Sequence, residues 1–544
     1  MSTRAGRRRA GLLMPLFSCP SSTSWGIGDI GDIGPATEWL RQAGLRVLQL
    51  LPLNEMASGQ QSPYSAISAM AVDPIFIRVQ DVPEFAAAGG PARFTTSERR
   101  LLDRARRAPR IDFAAVRRVK QAALGAAFEW FDRHEWRRDT ERARELGAFV
   151  NRESWWLDDY SLFRALHERE QRRPWTEWPD TLRQRQPQAL AEARRALARE
   201  IRYYQYLQWL ADTQWRQARA AATRNGVELF GDLPFMVDGD SADVWARQDE
   251  FRLDASVGVP PDAFSATGQD WGMPPYRWDV IARTEFEWLR HRARRSAALY
   301  HGYRVDHLVG FYRTYARPRG GGGASFSPER EDDQLALGER ALGIFREPGA
   351  EIIAEDLGIV PDFVRASLLR LGVPGFRVFR WERNWDQPLH PFRDVSDYPS
   401  FSVAASGTHD TEPLAVWWEN AEPAERQAVA ALPTVVALAG RRRVEDLPYN
   451  PIVRDLLLEA LFASTSELLL VTIQDVFGWR DRINEPATVN ERNWTFRLPW
   501  PVDTLAAQTD VRERTGTLRA WSEKYDRLGT GVGAAERIAV VAGG

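Results

Sequence analysis

The chain has 544 residues, with 72 Lys and Arg against 74 Asp and Glu and a net charge of −2. That balance excludes a broadly basic surface of the kind that binds nucleic acid or an anionic membrane. The single cysteine, Cys19, excludes an intrachain disulfide and fits a reducing, cytoplasmic location.

The hydrophobic fraction of 44% is enough for a large core. A chain of this length reads as several domains, or as one (β/α)8 barrel carrying insertions. The start, "RRRAGLLMPLFSC", imitates a signal peptide. Its apolar run "LLMPLF" is broken by Pro15 and is shorter than the roughly 7–15 residues of a signal core, so it reads as the first strand, "GLLMPLF" (11–17). No run approaches the ~20 apolar residues of a membrane span.

The segment "PATEWLRQAG" reads as a helix, with Pro35 near its start and Gly44 at its end, followed by a second strand in "LRVLQLLPLNE" (45–55). Residues 85–200 read as a mainly helical insertion with solvated charged faces. The amphipathic helix "IRYYQYLQWLADTQWRQARAAATRNG" ends at Asn225-Gly226. Six more strand-like runs follow: "VELFGDLPF" (227–235), "HGYRVDH" (301–307), "AEIIAEDLG" (350–358), "GFRVFRWE" (375–382), "FSVAASGTHD" (401–410) and "ELLLVTIQDVFG" (467–478). Helical segments lie between most of them. Eight alternating units point to a closed α/β (β/α)8 TIM barrel. "RGGGGA" (319–324) reads as a flexible loop after the fourth strand.

Ligands of such folds sit at the carboxyl ends of strands. Asp232, Arg304, Asp306, Glu355, Asp356, His409 and Asp410 all fall there. A strand-end carboxylate is often only the N-cap of the next helix, the reading given to Asp356. Four strands ending this way, with Arg and His among them, point instead to a shared site. Glycoside cleavage needs one carboxylic acid to protonate the leaving oxygen and one carboxylate to attack or to activate water. Arg304 is expected to hold Asp306 anionic as nucleophile. Glu355, after Ile352, Ile353 and Ala354, is expected to stay protonated in an apolar pocket.

Competing motifs are weaker. "GIGDIG" (26–31) matches a dinucleotide fingerprint, but "SCPSSTSW" separates it from its strand, so it reads as a glycine-rich turn. No P-loop, H-E-x-x-H or C-x-x-C is present, and "DGDSAD" (238–243) lacks the offsets of a calcium loop.

From about residue 11 to 500 the chain resembles the 4-α-glucanotransferases, also called amylomaltases or disproportionating enzymes (glycoside hydrolase family 77). The motifs "SWGIGDIGDIG", "SPYSAISAMAVDPIFI", "GDLPFMVDGDSADVW", "GVPPDAFSATGQDWGMPPYRWD", "YRVDHLVGF", "IAEDLG" and "GTHDT" stand in the family's order. The resemblance implies a catalytic barrel over 11–500 and an active-site lid over 250–280; residues 501–544, past the usual end of the family, read as a C-terminal helical tail. It implies Asp306 as nucleophile, Glu355 as acid/base and Asp410 as transition-state stabiliser. It implies sugar contacts from Tyr64, Asp232, Gln269, Trp271, Arg304, His409 and Asn484. The substrates implied are α-1,4-glucan donors and acceptors, with no metal, organic cofactor, nucleic acid or membrane. The alternatives are an α-1,4-glucan hydrolase and an inactive glucan-binding module, which would not need all three carboxylates. Leu308, Val309 and Glu485 depart from the family pattern and bear on chain-length preference.

Overall fold

The computed structural model describes residues 7–57, 59–261, 268–486 and 488–529. Its centre is an eight-stranded parallel sheet. The strands are β1 (Arg9–Leu13), β2 (Val47–Gln49), β3 (Glu228–Leu233), β4 (Gly302–Val305), β5 (Glu351–Ala354), β6 (Phe376–Val378), β7 (Val403–Ala405) and β8 (Leu468–Thr472). Each pairs in parallel with its neighbour in chain order, and β8 pairs with β1. A single parallel bridge, Ala354 to Gly375, joins the β5 and β6 sides and completes the ring. The eight expected strands form the (β/α)8 barrel.

The barrel interior follows from the two-residue period of a strand. Val47, Phe230, Ile353, Phe376, Val378, Val403, Ala405, Leu468 and Leu470 form one buried cluster. Continuing the period carries Phe230 to Asp232, Gly302 to Arg304 and Ile353 to Glu355 at the carboxyl end. Gly302 makes room for this layer, since a Cβ there would lie 2.7 Å from the Phe230 ring. At the opposite end Arg9 bonds Glu351 at 2.6 Å and also pairs with Glu228. The first strand therefore begins at Arg9, inside the basic run that imitates a leader, because two carboxylates, from β3 and β5, neutralise that arginine.

Between β2 and β3 the chain makes a helical excursion, including Phe113–His134 and Glu141–Arg169, before Ala198–Arg224 returns it to the barrel. That last helix stops where Gly226 takes φ 65°. Residues Ala255–Val259, Gln269–Asp270, Thr314–Pro318 and Ser325–Ser327 form a four-stranded antiparallel sheet above β4. The stretch 250–280, read from sequence as a loop, is thus partly a hairpin, because its outer partner strand arrives from residues 314–318. After residue 500 a helix at Thr509–Lys524 packs on the barrel. Trp39 Nε1 donates to Thr515 Oγ1 at 2.9 Å, and buried Arg527 donates to the carbonyls of Phe462, Ser464 and Ser466. The remainder of the expected tail, 530–544, lies outside the described residues. No helix among the described residues is long and apolar enough to cross a membrane.

Candidate active site

The strand register assembles the site. Asp232 on β3 stands opposite Arg304 on β4, and Arg304 opposite Ile353 on β5. Asp306 and Glu355 are the first residues or nearly so beyond β4 and β5, fixed by Asp306 N–H to Leu233 O at 3.0 Å and Glu355 N–H to Val305 O at 3.1 Å. Arg304 is 3% exposed and divides its fork among three carboxylates. Nη1 lies 2.8 and 2.7 Å from the two oxygens of Asp232. Nη2 lies 2.9 Å from Asp306 Oδ1 and 2.9 Å from Glu355 Oε2.

The loop after β7 supplies the other side. His409 Nε2 is 3.2 Å from Asp410 Oδ2, and Asn484 Nδ2 donates to Asp410 Oδ1 at 2.6 Å. Tyr64, from the loop after β2, donates its hydroxyl to Asp232 Oδ2 at 2.8 Å and stacks on His409 with centroids 5.2 Å apart. Asp306, Glu355, Asp410, Asp232, Arg304, His409, Tyr64 and Asn484 thus share one opening.

Gln269 and Trp271 stand at its rim. Trp271 Nε1 donates to Gln269 Oε1 at 3.1 Å, and the indole and His307 rings meet edge-to-face with centroids 4.8 Å apart. Of the expected lid, residues 262–267 lie outside the described residues.

The charges are tuned unequally. Burial is the main cause that pushes the Asp306 carboxyl up to about 7; Arg304 opposes it and the Glu355 charge adds to it. Burial also acts on Glu355, but Arg304 and the His307 N–H outweigh it and hold that carboxyl below its ordinary value. Asp410 is held down at about 2: burial opposes this, and His409 and Asn484 prevail. His409 is raised by Asp410 against the effect of burial.

Three expectations change here. Arg304 is not a private partner of Asp306; one nitrogen bridges Asp306 and Glu355, so the two titrate as a pair. The resting environment also favours charge on Glu355 rather than on Asp306, because two donors converge on Glu355 Oε2. Asp356 is not a helix N-cap. It turns towards β6, accepting from Phe376 N–H at 2.7 Å and Arg377 Nη1 at 3.2 Å.

Sequence reasoning missed two supports. Arg482 donates to the carbonyls of Asp410 at 2.7 Å and Asn484 at 3.1 Å, tying two loops together. Its place two residues before Asn484 was the available signal. Trp494 packs its ring 5.9 Å from Tyr64 and 5.7 Å from His409, with φ at 62°. Nothing in the run "ERNWTF" marks it out. Leu308 is fully buried beside the site, and Glu485 donates only its N–H, to Asn493. "GIGDIG" is a turn whose Asp29, together with Asp32 directly after it, pairs with Arg78. In "DGDSAD" the carboxylates bond backbone N–H groups and His167. No group of three or more His, Cys, Asp or Glu among the described residues is arranged to hold a metal.

Comparison with known proteins agrees with this geometry. The 4-alpha-glucanotransferase family model matches residues 14–503. A 4-alpha-glucanotransferase of Thermus thermophilus is 33% identical over 537 residues, covering 96% of this chain and 99% of its own. One of Chlamydia pneumoniae is 31% identical over 504 residues, covering 91% and 92%. The structure is similar to an amylomaltase from Streptococcus agalactiae solved with acarbose, at TM-score 0.78 and 26% identity, covering 96% of this chain and 99% of that one. It is similar also to an amylomaltase from Corynebacterium glutamicum, at TM-score 0.78 and 25% identity, covering 94% and 75%. With the match running from the end of β1 through β8 and every strand-end motif, the chain belongs to the 4-alpha-glucanotransferase family, glycoside hydrolase family 77.

Proposed function

We propose that this chain transfers segments of α-1,4-glucans to the 4-hydroxyl of an acceptor glucan or glucose, by a retaining double displacement. Asp306 attacks the anomeric carbon while Glu355 protonates the leaving oligosaccharide. Glu355 then takes the proton of the acceptor hydroxyl, which displaces Asp306 from the sugar. Asp410, held ionised by His409 and Asn484, faces the positive charge that develops at the ring. Tyr64 offers a ring face to the sugar at the cleavage point. Arg304, Asp232, His409 and Asn484 surround its hydroxyls, and Gln269 and Trp271 cover the acceptor side.

The observation that carries this reading is the bridge by Arg304 Nη2. Asp306 Oδ1 and Glu355 Oε2 each lie 2.9 Å from that atom, so they are no more than twice 2.9 Å apart. A retaining pair is separated by about 5–5.5 Å and an inverting pair by about 6.5–9.5 Å. No cofactor enters this chemistry. Residues 11–500 act in this reading as one catalytic unit with 85–200 as its helical insertion, and the protein works in the cytoplasm.

The test is incubation with maltotriose alone. Transfer gives glucose together with longer maltodextrins of retained α configuration. Maltose and glucose without longer chains would identify a hydrolase and overturn the proposal.

A further inference from the structure

Glu355 Oε2 accepts two donors at once: Arg304 Nη2 at 2.9 Å and the backbone N–H of His307 at 2.6 Å. Both favour the carboxylate, the form that has no proton to give. A general acid held this way is in the wrong state before reaction.

The second donor comes from a strained residue. His307 has φ 42° and ψ 52°, a left-handed conformation uncommon for a residue with a side chain. Its imidazole packs against the Phe235 ring, centroids 5.5 Å apart, and edge-to-face with Trp271, centroids 4.8 Å apart. Trp271 belongs to the rim hairpin, where its N–H bonds Val257 O at 2.9 Å. The turn is closed on the far side as well, by Gly310 N–H to His307 O at 2.8 Å. So one continuous set of contacts runs from the rim tryptophan, through the His307 ring, to the N–H on the acid/base.

We infer that His307 is a positioning residue that links the rim tryptophan to Glu355. While the imidazole rests on Trp271, the turn is pinned and its N–H stays on Glu355. A glucan that takes up Trp271 removes that support, the strained turn relaxes, and Glu355 is free to hold the proton that it shares with Asp306. The proton moves from the Asp306 carboxyl to the Glu355 carboxyl with no net gain or loss, leaving an ionised nucleophile and a protonated acid. This rests on the roles proposed above for those two residues.

The groups facing Glu355 are Arg304 from β4, Asp306 just beyond it, the His307 turn, and Asp410 from the loop after β7. The His307 ring faces Glu355 and Arg304, and burial pushes it down to about 4. It is neutral at working pH, so the link runs through packing and the N–H rather than through an imidazolium.

The test compares pH profiles on maltotriose. The profile of kcat/KM reports the free enzyme and that of kcat the bound one. The basic limb, which follows loss of the proton shared by the pair, is expected at higher pH in kcat than in kcat/KM by about one unit, a tenfold change in the protonated fraction. His307→Asn tolerates the left-handed backbone and keeps the N–H while removing the ring. It and Trp271→Ala should each raise the kcat/KM limb towards the kcat limb, and Trp271→Phe should restore most of the gap. Should His307→Asn fail to fold, the two Trp271 variants carry the comparison. Infrared spectra with carboxyl-labelled glutamate give a second readout: saturation with acarbose should produce a labelled carboxylic acid band that Glu355→Gln removes. Coincident limbs in the parent enzyme, or a gap unchanged in the variants, would overturn the link while leaving transfer intact. Absence of transfer products would instead refute the proposed function.

Discussion

Arg304→Lys separates charge from geometry at the centre of the site. The guanidinium makes four contacts of 2.7–2.9 Å with Asp232, Asp306 and Glu355, all from a side chain that is 3% exposed. A lysine keeps one positive charge but offers a single, shorter-reaching nitrogen that cannot fork. At least two charge-assisted bonds are lost, each worth about 1.5–3 kcal/mol, so the total is roughly 3–6 kcal/mol, shared between folding and the transition state. If about half falls on the transition state, kcat drops about 10–100-fold at ~1.4 kcal/mol per decade. The sign of the pH effect is also fixed. Arg304 lowers the Asp306 carboxyl, which already lies at about 7 through burial. Weakening that pull raises Asp306 further and also raises its coupled partner Glu355, which Arg304 likewise lowers, so the pair's acidic limb in kcat/KM moves to higher pH. Initial rates of glucose release from maltotriose across pH, with thermal unfolding of the same samples, measure both parts. A variant with reduced melting temperature but parent kcat and an unmoved acidic limb would show that the arginine only clamps the strands, and the reasoning would be wrong.

Glu355→Gln should leave unfolding unchanged and lower transfer by about 10²–10⁴-fold, the usual worth of general acid–base help; near-parent rates on maltotriose would remove it from the mechanism. Trp271→Ala should raise hydrolysis relative to transfer several-fold, since an aromatic contact is worth about 0.5–1.5 kcal/mol beyond area burial. Product ratios by chromatography decide this, and a sharp fall in melting temperature with an unchanged ratio would make Trp271 a mere anchor. Asp410 has its folded-state value depressed to about 2. Its contribution to stability is therefore present above the unfolded value of ~3.9 and is lost as pH falls towards 2. Asp410→Asn should flatten the fall in urea midpoint between pH 4 and pH 2; an unaltered slope would contradict the His409–Asp410–Asn484 arrangement.

What was legible in the sequence follows from the range of the interactions involved. The strands were visible because each apolar run is local. Their ends were not, because active-site loops continue the run: "FSVAASGTHD" reads as one strand, whereas β7 is only Val403–Ala405 and the rest turns out to present His409 and Asp410. Arg9 was missed because its partners Glu228 and Glu351 lie more than 200 residues away. The hairpin carrying Trp271 depends on residues 314–318, and Asp356 on the N–H of Phe376 across to the next strand. The carboxylate positions were readable as motifs. The sharing of Arg304 was not, since register alone brings Asp232 and Glu355 to its two nitrogens.

That sharing explains why one proton belongs to the resting site. Asp232, Asp306 and Glu355 are three buried carboxyls around one guanidinium, and like charges at this range cannot all stay ionised cheaply. With one proton bound, the cluster carries three carboxyls, one arginine and a net charge of −1. Asp410 and His409 form a separate pair beside it, held together at 3.2 Å. The substrate is a neutral glucan, while the transition state has oxocarbenium character and is positive. A site of net −1 therefore gains attraction as the glycosidic bond breaks, which is the differential binding that lowers a barrier. A second arginine in place of any of these carboxyls would reverse that sign, and full ionisation of the cluster would leave no acid for the leaving group. One cation among three carboxyls satisfies both demands, and the register of β3, β4 and β5 is what puts it there.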